Sequence, residues 1–171
     1  MTTPQLKRSF DRKVANAVNK KGDKASIANT FGLPAGKSYS CPGATSVCES
    51  VCYAGRLEKV YPAVKKNLLH NWELLRNADE PTMVDLIENM IAEFRKDCEK
   101  KSAPLLFRIH LDGDFFNDKY TRAWQYVILT NTDIQFGQRL GMYTILVESK
   151  EHIKENPDLR IAHLAQISKF L

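Results

Sequence analysis

The chain has no run that approaches the roughly 18 uninterrupted apolar residues of a membrane span, so no membrane partner is expected. Its first residues, Met1 to Lys7, lack an apolar stretch of the signal-peptide kind. A cytoplasmic chain with four reduced cysteines is the expectation that follows. There is no internal repeat and no low-complexity segment. The 171 residues fall short of the roughly 250 that a complete eight-stranded (β/α) barrel takes. With 43% hydrophobic residues, however, the composition is too apolar for a disordered chain.

Beyond residue 24 there is no net charge, because 18 basic residues face 18 acidic ones. The whole excess of +5 sits in residues 1–24, where Lys7, Arg8, Arg12, Lys13, Lys20, Lys21 and Lys24 meet only Asp11 and Asp23. The expected organisation is therefore a basic N-terminal arm over 1–24 and a single α/β domain over 25–171. Such an arm suits the phosphates of a nucleic acid or nucleotide. A solvated amphipathic segment is the plainer alternative.

Hydrophobic periodicity supplies the elements. Leu6, Phe10, Val14 and Val18 recur at spacing four and predict a short helix over 4–20. Residues 25–40, rich in small, polar, Gly and Pro residues, read as a loop. A long helix is predicted over 57–77 from the stripe Leu57, Val60, Tyr61, Val64, Leu68, Trp72 and Leu75, with Pro62 in a first turn or at a kink. A second is predicted over 82–100, capped by Thr82 with Asp85, its buried face Met83, Ile87, Met90, Ile91, Phe94 and Cys98. The nearly continuous apolar run Pro104 to Leu111 reads as a buried, parallel-type strand. A helix near 117–130, strands at 134–136 and 142–147, a short helix near 149–156 and a strand at 159–163 complete the order. That alternation predicts an α/β fold: a partial (β/α) barrel or a small open, mainly parallel sheet flanked by helices, with a loop-rich cysteine segment before it.

Two constellations carry chemistry. Cys41, Cys48 and Cys52 stand in a C-x6-C-x3-C segment. Three thiols this close in a reducing compartment point to a metal or cluster. Thiolates select iron–sulfur clusters, zinc or copper(I). Zinc sites usually add a second cysteine or histidine pair, and none follows here. A [4Fe–4S] cluster fits better, with zinc as the alternative; Cys98, on the apolar face of its helix, reads as a core thiol. The second constellation is His110, Asp112, Gly113 and Asp114, at the end of the best strand, where ligands bind in α/β sheets. These four residues are the candidates for binding a small-molecule cofactor. A βα turn with Asp114 capping nearby N–H groups is the alternative.

Phe31-Gly-Leu-Pro-Ala35, Cys41-Pro-Gly-Ala-Thr45, Cys48, Val51-Cys-Tyr-Ala54, Tyr61-Pro-Ala-Val64, Phe107-Arg-Ile-His110, Gly113-Asp-Phe115, Tyr120 and Ala123-Trp124 together resemble the phage "gene product 88" domain family. The resemblance spans about residues 29–136. It implies a phage protein working in a host cytoplasm. The cysteine segment is in turn similar to that of radical S-adenosylmethionine proteins. Their three-cysteine loop holds a [4Fe–4S] cluster, and a Gly- and acid-containing segment contacts the cofactor, which would map to Gly113-Asp114. The usual spacing there is C-x3-C-x2-C, tighter than in this chain. Two functions remain open: a cluster-binding enzyme of the S-adenosylmethionine type, and a non-enzymatic module that binds a host protein or nucleic acid, with a cluster or zinc as a staple.

Overall fold

In the computed structural model, described here for residues 4–11, 27–136, 145–147 and 159–161, the chain divides into two units, Met1–Phe136 and Gly137–Leu171. The first contains helices α1 (Ser46–Val51), α2 (Tyr53–Val60), α3 (Pro62–Leu75), α4 (Glu80–Lys100) and α5 (Asp118–Thr130), with the two-residue strands β1 (Leu106–Phe107) and β2 (Gln135–Phe136).

Helix α4 is the backbone of the core. Met83, Ile87, Met90, Ile91, Phe94 and Cys98 are buried, as their spacing predicts, and Leu86 joins them. The cap is Asp79, not Thr82: its carboxylate accepts the Thr82 N–H at 3.0 Å, so the helix begins two residues early. Helix α5 starts where the sequence places it, with the Asn117 side chain accepting the Tyr120 N–H at 2.8 Å. It buries Tyr120, Ala123, Trp124 and Val127 and packs on α4. The predicted helix over 57–77 is two helices. Pro62 takes the first turn of α3, and Tyr61 before it leaves helical geometry at φ −120°, ψ 89°. Only the later part of the stripe is buried, at Leu68 and Leu75; Val60 and Tyr61 face solvent.

Three extended segments pass through this helical frame. Ser9 and Thr30 exchange backbone hydrogen bonds of 2.8 and 3.1 Å in an antiparallel bridge. Thr30 then bridges Arg108 in parallel, with Phe31 N–H donating to Arg108 C=O at 3.2 Å and Arg108 N–H donating to Asn29 C=O at 3.0 Å. The outer edge of the first segment is closed by a side chain. Asn71 of α3, buried, accepts the Lys7 N–H at 2.7 Å and donates to the carbonyls of Lys7 at 2.9 Å and Gly32 at 3.0 Å. Residues 4–11 are thus extended, not the start of a helix over 4–20; residues 12–20 lie outside the described set. The carboxamide and the Thr30 backbone satisfy the peptide groups that a helix would have paired internally.

The expected α/β architecture is overturned: the structure is mostly helical, with no barrel and no extended parallel sheet among the described residues. Among the described residues of the first unit, ladder pairing is limited to β1 with β2, Leu106 opposite Gln135 and Phe107 opposite Phe136. The physical reason lies in two places. Helices α1 to α4 follow one another from Ser46 to Lys100 with no strand between them, so no βαβ repeat is built there. The apolar run 104–111 is covered on one side only. Phe107 is buried among α4 and α5 residues, whereas Leu105, Leu106, Ile109 and Leu111 stay half-buried. In the second unit, β3 (Ile145–Val147) pairs in parallel with β4 (Leu159–Ile161). The helix predicted near 149–156 lies outside the described residues.

Asn71→Ala removes three hydrogen bonds and strands buried backbone groups, at a cost of about 3 kcal/mol. In a chain of this size that lowers the melting temperature by roughly 6–12 °C. Asn67→Ala, one turn earlier on α3, is expected to stay within about 0.5 kcal/mol of wild type in thermal unfolding.

Candidate functional site

Ser40, the residue before the cysteine segment, meets the second constellation, and Asp114 bonds it from 74 residues further on. The turn at the end of the third extended segment packs on the segment Leu33–Ser40. Leu33 N–H donates to the Asp112 carbonyl at 3.0 Å, and Leu111 N–H donates to Phe31 C=O at 2.7 Å. Ser40, fully buried, donates its hydroxyl to Pro34 C=O at 2.8 Å and accepts the Asp114 N–H at 3.2 Å. Gly113 makes the approach possible. It has φ +80°, and a Cβ there would lie 2.7 Å from the Leu33 carbonyl oxygen and against the Ser40 hydroxyl. Its closeness serves chain against chain, and Cys41 leaves directly from that junction.

The cysteine segment then runs over the surface. Thr45 caps α1 by accepting the Cys48 N–H at 3.1 Å. Cys52 joins α1 to α2, its sulfur accepting the Gly55 N–H at 3.3 Å. All four thiols are free; Cys48 is exposed, Cys41 and Cys52 are half-buried, and Cys98 is sealed in the core. Burial pushes the Cys98 thiol up to about 11, and its sulfur points to the Pro104 carbonyl at 3.6 Å, in keeping with a core thiol. Among the described residues, no three His, Cys, Asp or Glu side chains converge as a set that could hold a metal ion. The donor chemistry nevertheless suits a thiolate-bound group, and α1 buries no residue, so re-aiming Cys48 breaks no core contact.

Around the turn, the four candidate residues have different surroundings. His110 donates or accepts through Nε2 with the buried Tyr120 hydroxyl at 2.9 Å and lies edge-on to Phe115. Tyr120 stacks on Phe116, which meets Trp72, which meets Tyr39, so an aromatic wall runs from the core to the cysteine segment. Desolvation pushes the His110 imidazole down to about 4. Asp114 is exposed and caps its own turn by accepting the Phe115 N–H at 2.8 Å. Asp112 is the anomaly. It is 2% exposed, and neither carboxylate oxygen has a hydrogen-bond partner among the described residues. Burial pushes it up to about 6; Glu58 on α2 adds repulsion, and Arg108 partly offsets both. Glu58, buried and also raised by desolvation, accepts the Ala35 N–H at 2.7 Å. The sequence gives no local sign of this second carboxylate, which looks like any helix-surface charge.

The described part of the arm, residues 4–11, is tied to the body. Arg8 donates to Ala28 C=O at 2.6 Å and pairs with Asp97 at 2.7 Å, while Arg108 pairs with the buried Asp11 at 2.6 Å. Both pairs hold the arm's residues 8 and 11 against the body. No helix among the described residues is long and apolar enough to cross a membrane.

Asp112 and His110 act oppositely on stability. Between about pH 4 and 6 the folded chain keeps an Asp112 proton that the unfolded chain has released, so stability falls as pH rises through that window. Between about pH 4 and 6.5 the unfolded chain protonates His110 and the folded chain does not, so stability falls as pH drops. The two slopes largely cancel in wild type. Asp112→Asn removes the first, and is expected to be more stable than wild type at pH 7.5 by about 1–2 kcal/mol. Its denaturant midpoint then declines below pH 6 and converges on wild type near pH 4. A variant no more stable at pH 7.5 shows that the carboxylate has an ionic partner an amide cannot replace.

Comparison with known proteins supplies the family. The pattern described as "Gene product 88" matches residues 4–136, ending at the boundary of the first unit. The chain is 58% identical over 135 residues to the Gene 88 protein of Mycobacterium phage L5, a match covering 77% of this chain and 56% of that protein. It is 58% identical over 134 residues, with the same coverage, to the Gene 88 protein of Mycobacterium phage D29. The chain therefore spans little more than half the length of these relatives. No solved structure matches it significantly. With the matched region running through both the cysteine segment and the His110–Asp114 turn, the chain belongs to the gene product 88 family.

Proposed function

We propose that this phage-family protein holds a [4Fe–4S] cluster on Cys41, Cys48 and Cys52, in the reducing cytoplasm of the infected cell. The adjoining His110–Asp114 turn takes a small-molecule cofactor of the S-adenosylmethionine kind. The observation that supports this reading is the packing of Gly113 and Asp114 on Ser40, the residue before Cys41. When bound, such a cluster would supply electrons singly.

The chain's own residues have distinct tasks in this reading. Cys52 caps α2, and its sulfur accepts the Gly55 N–H at 3.3 Å, which fixes the direction of that thiol. Gly113 and Ser40 fix the distance between the thiol segment and the turn. Asp112, the buried carboxylate without a donor, and Asp114 are the acidic groups offered to a cationic ligand. Phe115, Phe116 and Tyr120 cover the turn and limit water. Zinc on the same thiols is the competing occupant.

Protein purified without oxygen is expected to be brown, with about four irons per chain. Cys41→Ala, Cys48→Ala and Cys52→Ala should each lose most of the iron, and Cys98→Ala should keep it. Colourless protein with one zinc per chain overturns the cluster. Equal iron loss in all four variants makes Cys98 a ligand. Reduced protein that neither binds nor cleaves S-adenosylmethionine removes the cofactor from the reading while leaving the cluster in place.

A further inference from the structure

The cysteine segment is followed by a surface that neither the core nor the site explains. Between Val51 and Lys66 the only acidic residue is Glu58, and it is buried and bonded to the Ala35 N–H. Arg56, Lys59, Lys65 and Lys66 are all exposed. Arg56, Lys59 and Lys66 make no ion pair among the described residues, whereas Arg95, Lys96 and Arg122 on α4 and α5 each have a carboxylate at 2.7–2.9 Å. Tyr53, Val60 and Tyr61 stand among these cations at 71%, 64% and 54% exposure. Tyr53, Arg56 and Val60 follow helical spacing, so they share one face of α2.

We infer that α2 and the first turns of α3 form a binding surface for single-stranded nucleic acid. Charge complementarity selects a polyanion: unpaired cations of one sign, with no exposed acid among them, attract phosphates and release counterions. The exposed tyrosines select bases over other polyanions, because successive unpaired bases stack on aromatic rings between the phosphate contacts. Duplex DNA presents no free base faces to Tyr53 and Tyr61. An acidic protein would leave the rings without a specific role. The surface lies outside the arm over 1–24, whose Arg8 is already committed to Asp97 and Ala28. It stands on α2 and α3 alone and does not require the cluster.

The test is fluorescence anisotropy of the full chain with a labelled mixed-sequence single strand of about 20 nucleotides, at about 50 and 200 mM salt. Wild type should bind, more weakly at the higher salt. Arg56→Glu/Lys59→Glu/Lys66→Glu should weaken binding roughly 100-fold, and Tyr53→Ala and Tyr61→Ala roughly tenfold each. Heparin, which has no bases, should feel the charge reversal and not the tyrosine changes. All these side chains are exposed, so melting temperatures should stay within a degree or two of wild type. Binding unmoved by the triple change, or abolished instead by neutralising Lys20, Lys21 and Lys24, overturns the inference. So does tyrosine-dependent binding to polyglutamate as tight as to the strand, which makes the partner an acidic protein. Iron measured on the same samples keeps the two proposals apart: a colourless protein that still binds the strand refutes the cluster alone.

Discussion

The carboxamide of Asn71 holds the first unit together at the point where helix and extended chain must meet. A helix offers its neighbours no free backbone groups, and an extended segment at an edge leaves half of its own unpaired. Asn71 resolves the mismatch by presenting one acceptor and two donors from the surface of α3, and it spends them on Lys7 and Gly32. Segment 27–33 is thereby fixed between residue 9 and residue 108. The loop it feeds, Leu33–Ser40, then has a defined landing place on Gly113. The thiol segment begins one residue later. The placement of the candidate site thus descends from a buried polar side chain, whose removal would expose three groups at once.

Much of the helical frame was legible because it follows from local physics. The buried face of α4, the Asn117 cap of α5, the effect of Pro62 and the core setting of Cys98 need only periodicity, capping and ring geometry. What was not legible depends on partners distant in sequence. Leu6 and Phe10 sit four apart, which suits a helix, but they are also two steps of a strand. Thr30 and Asn71 decide between these readings from twenty and sixty-odd residues away. The apolar run at 104–111 misled in a related way. It has strand composition, yet only Phe107 gains full burial because helices cover one side of it. Hydrophobicity along a segment reports how much can be buried; the number of covering layers is set elsewhere.

The site shows the same division. His110, Asp112, Gly113 and Asp114 were visible as a polar cluster ending an apolar run, and the structure gives them four unlike environments. His110 is tied to Tyr120, Asp114 caps its own turn, and Gly113 accommodates Ser40. Of these four, only Asp112 is left with a charge-bearing group and no bonding partner among the described residues. Buried carboxylates without donors are rare because desolvation costs several kcal/mol per ion unless something compensates. Glu58 nearby increases that cost. The strain in this corner is electrostatic, and it concentrates where the cysteine-bearing loop and the turn are in contact.

The weakly packed pair α1 and α2 is the complement of that buried strain. Helix α1 buries no residue and α2 buries only Glu58, so packing contributes little to either, and helices this short gain little from propensity alone. The segment therefore carries its valines, tyrosines and thiols on a scaffold with little internal stabilisation. Occupants of such a segment stabilise it by binding, and the ordering cost falls on whichever arrives first. Because Cys52 caps the helix that presents Tyr53 and Arg56, a group on the thiols and a strand on the tyrosines would share that cost. Linkage then makes their effects on one another equal and of the same sign. The weak packing of α1 and α2 is in this view what couples the thiol segment to the basic face.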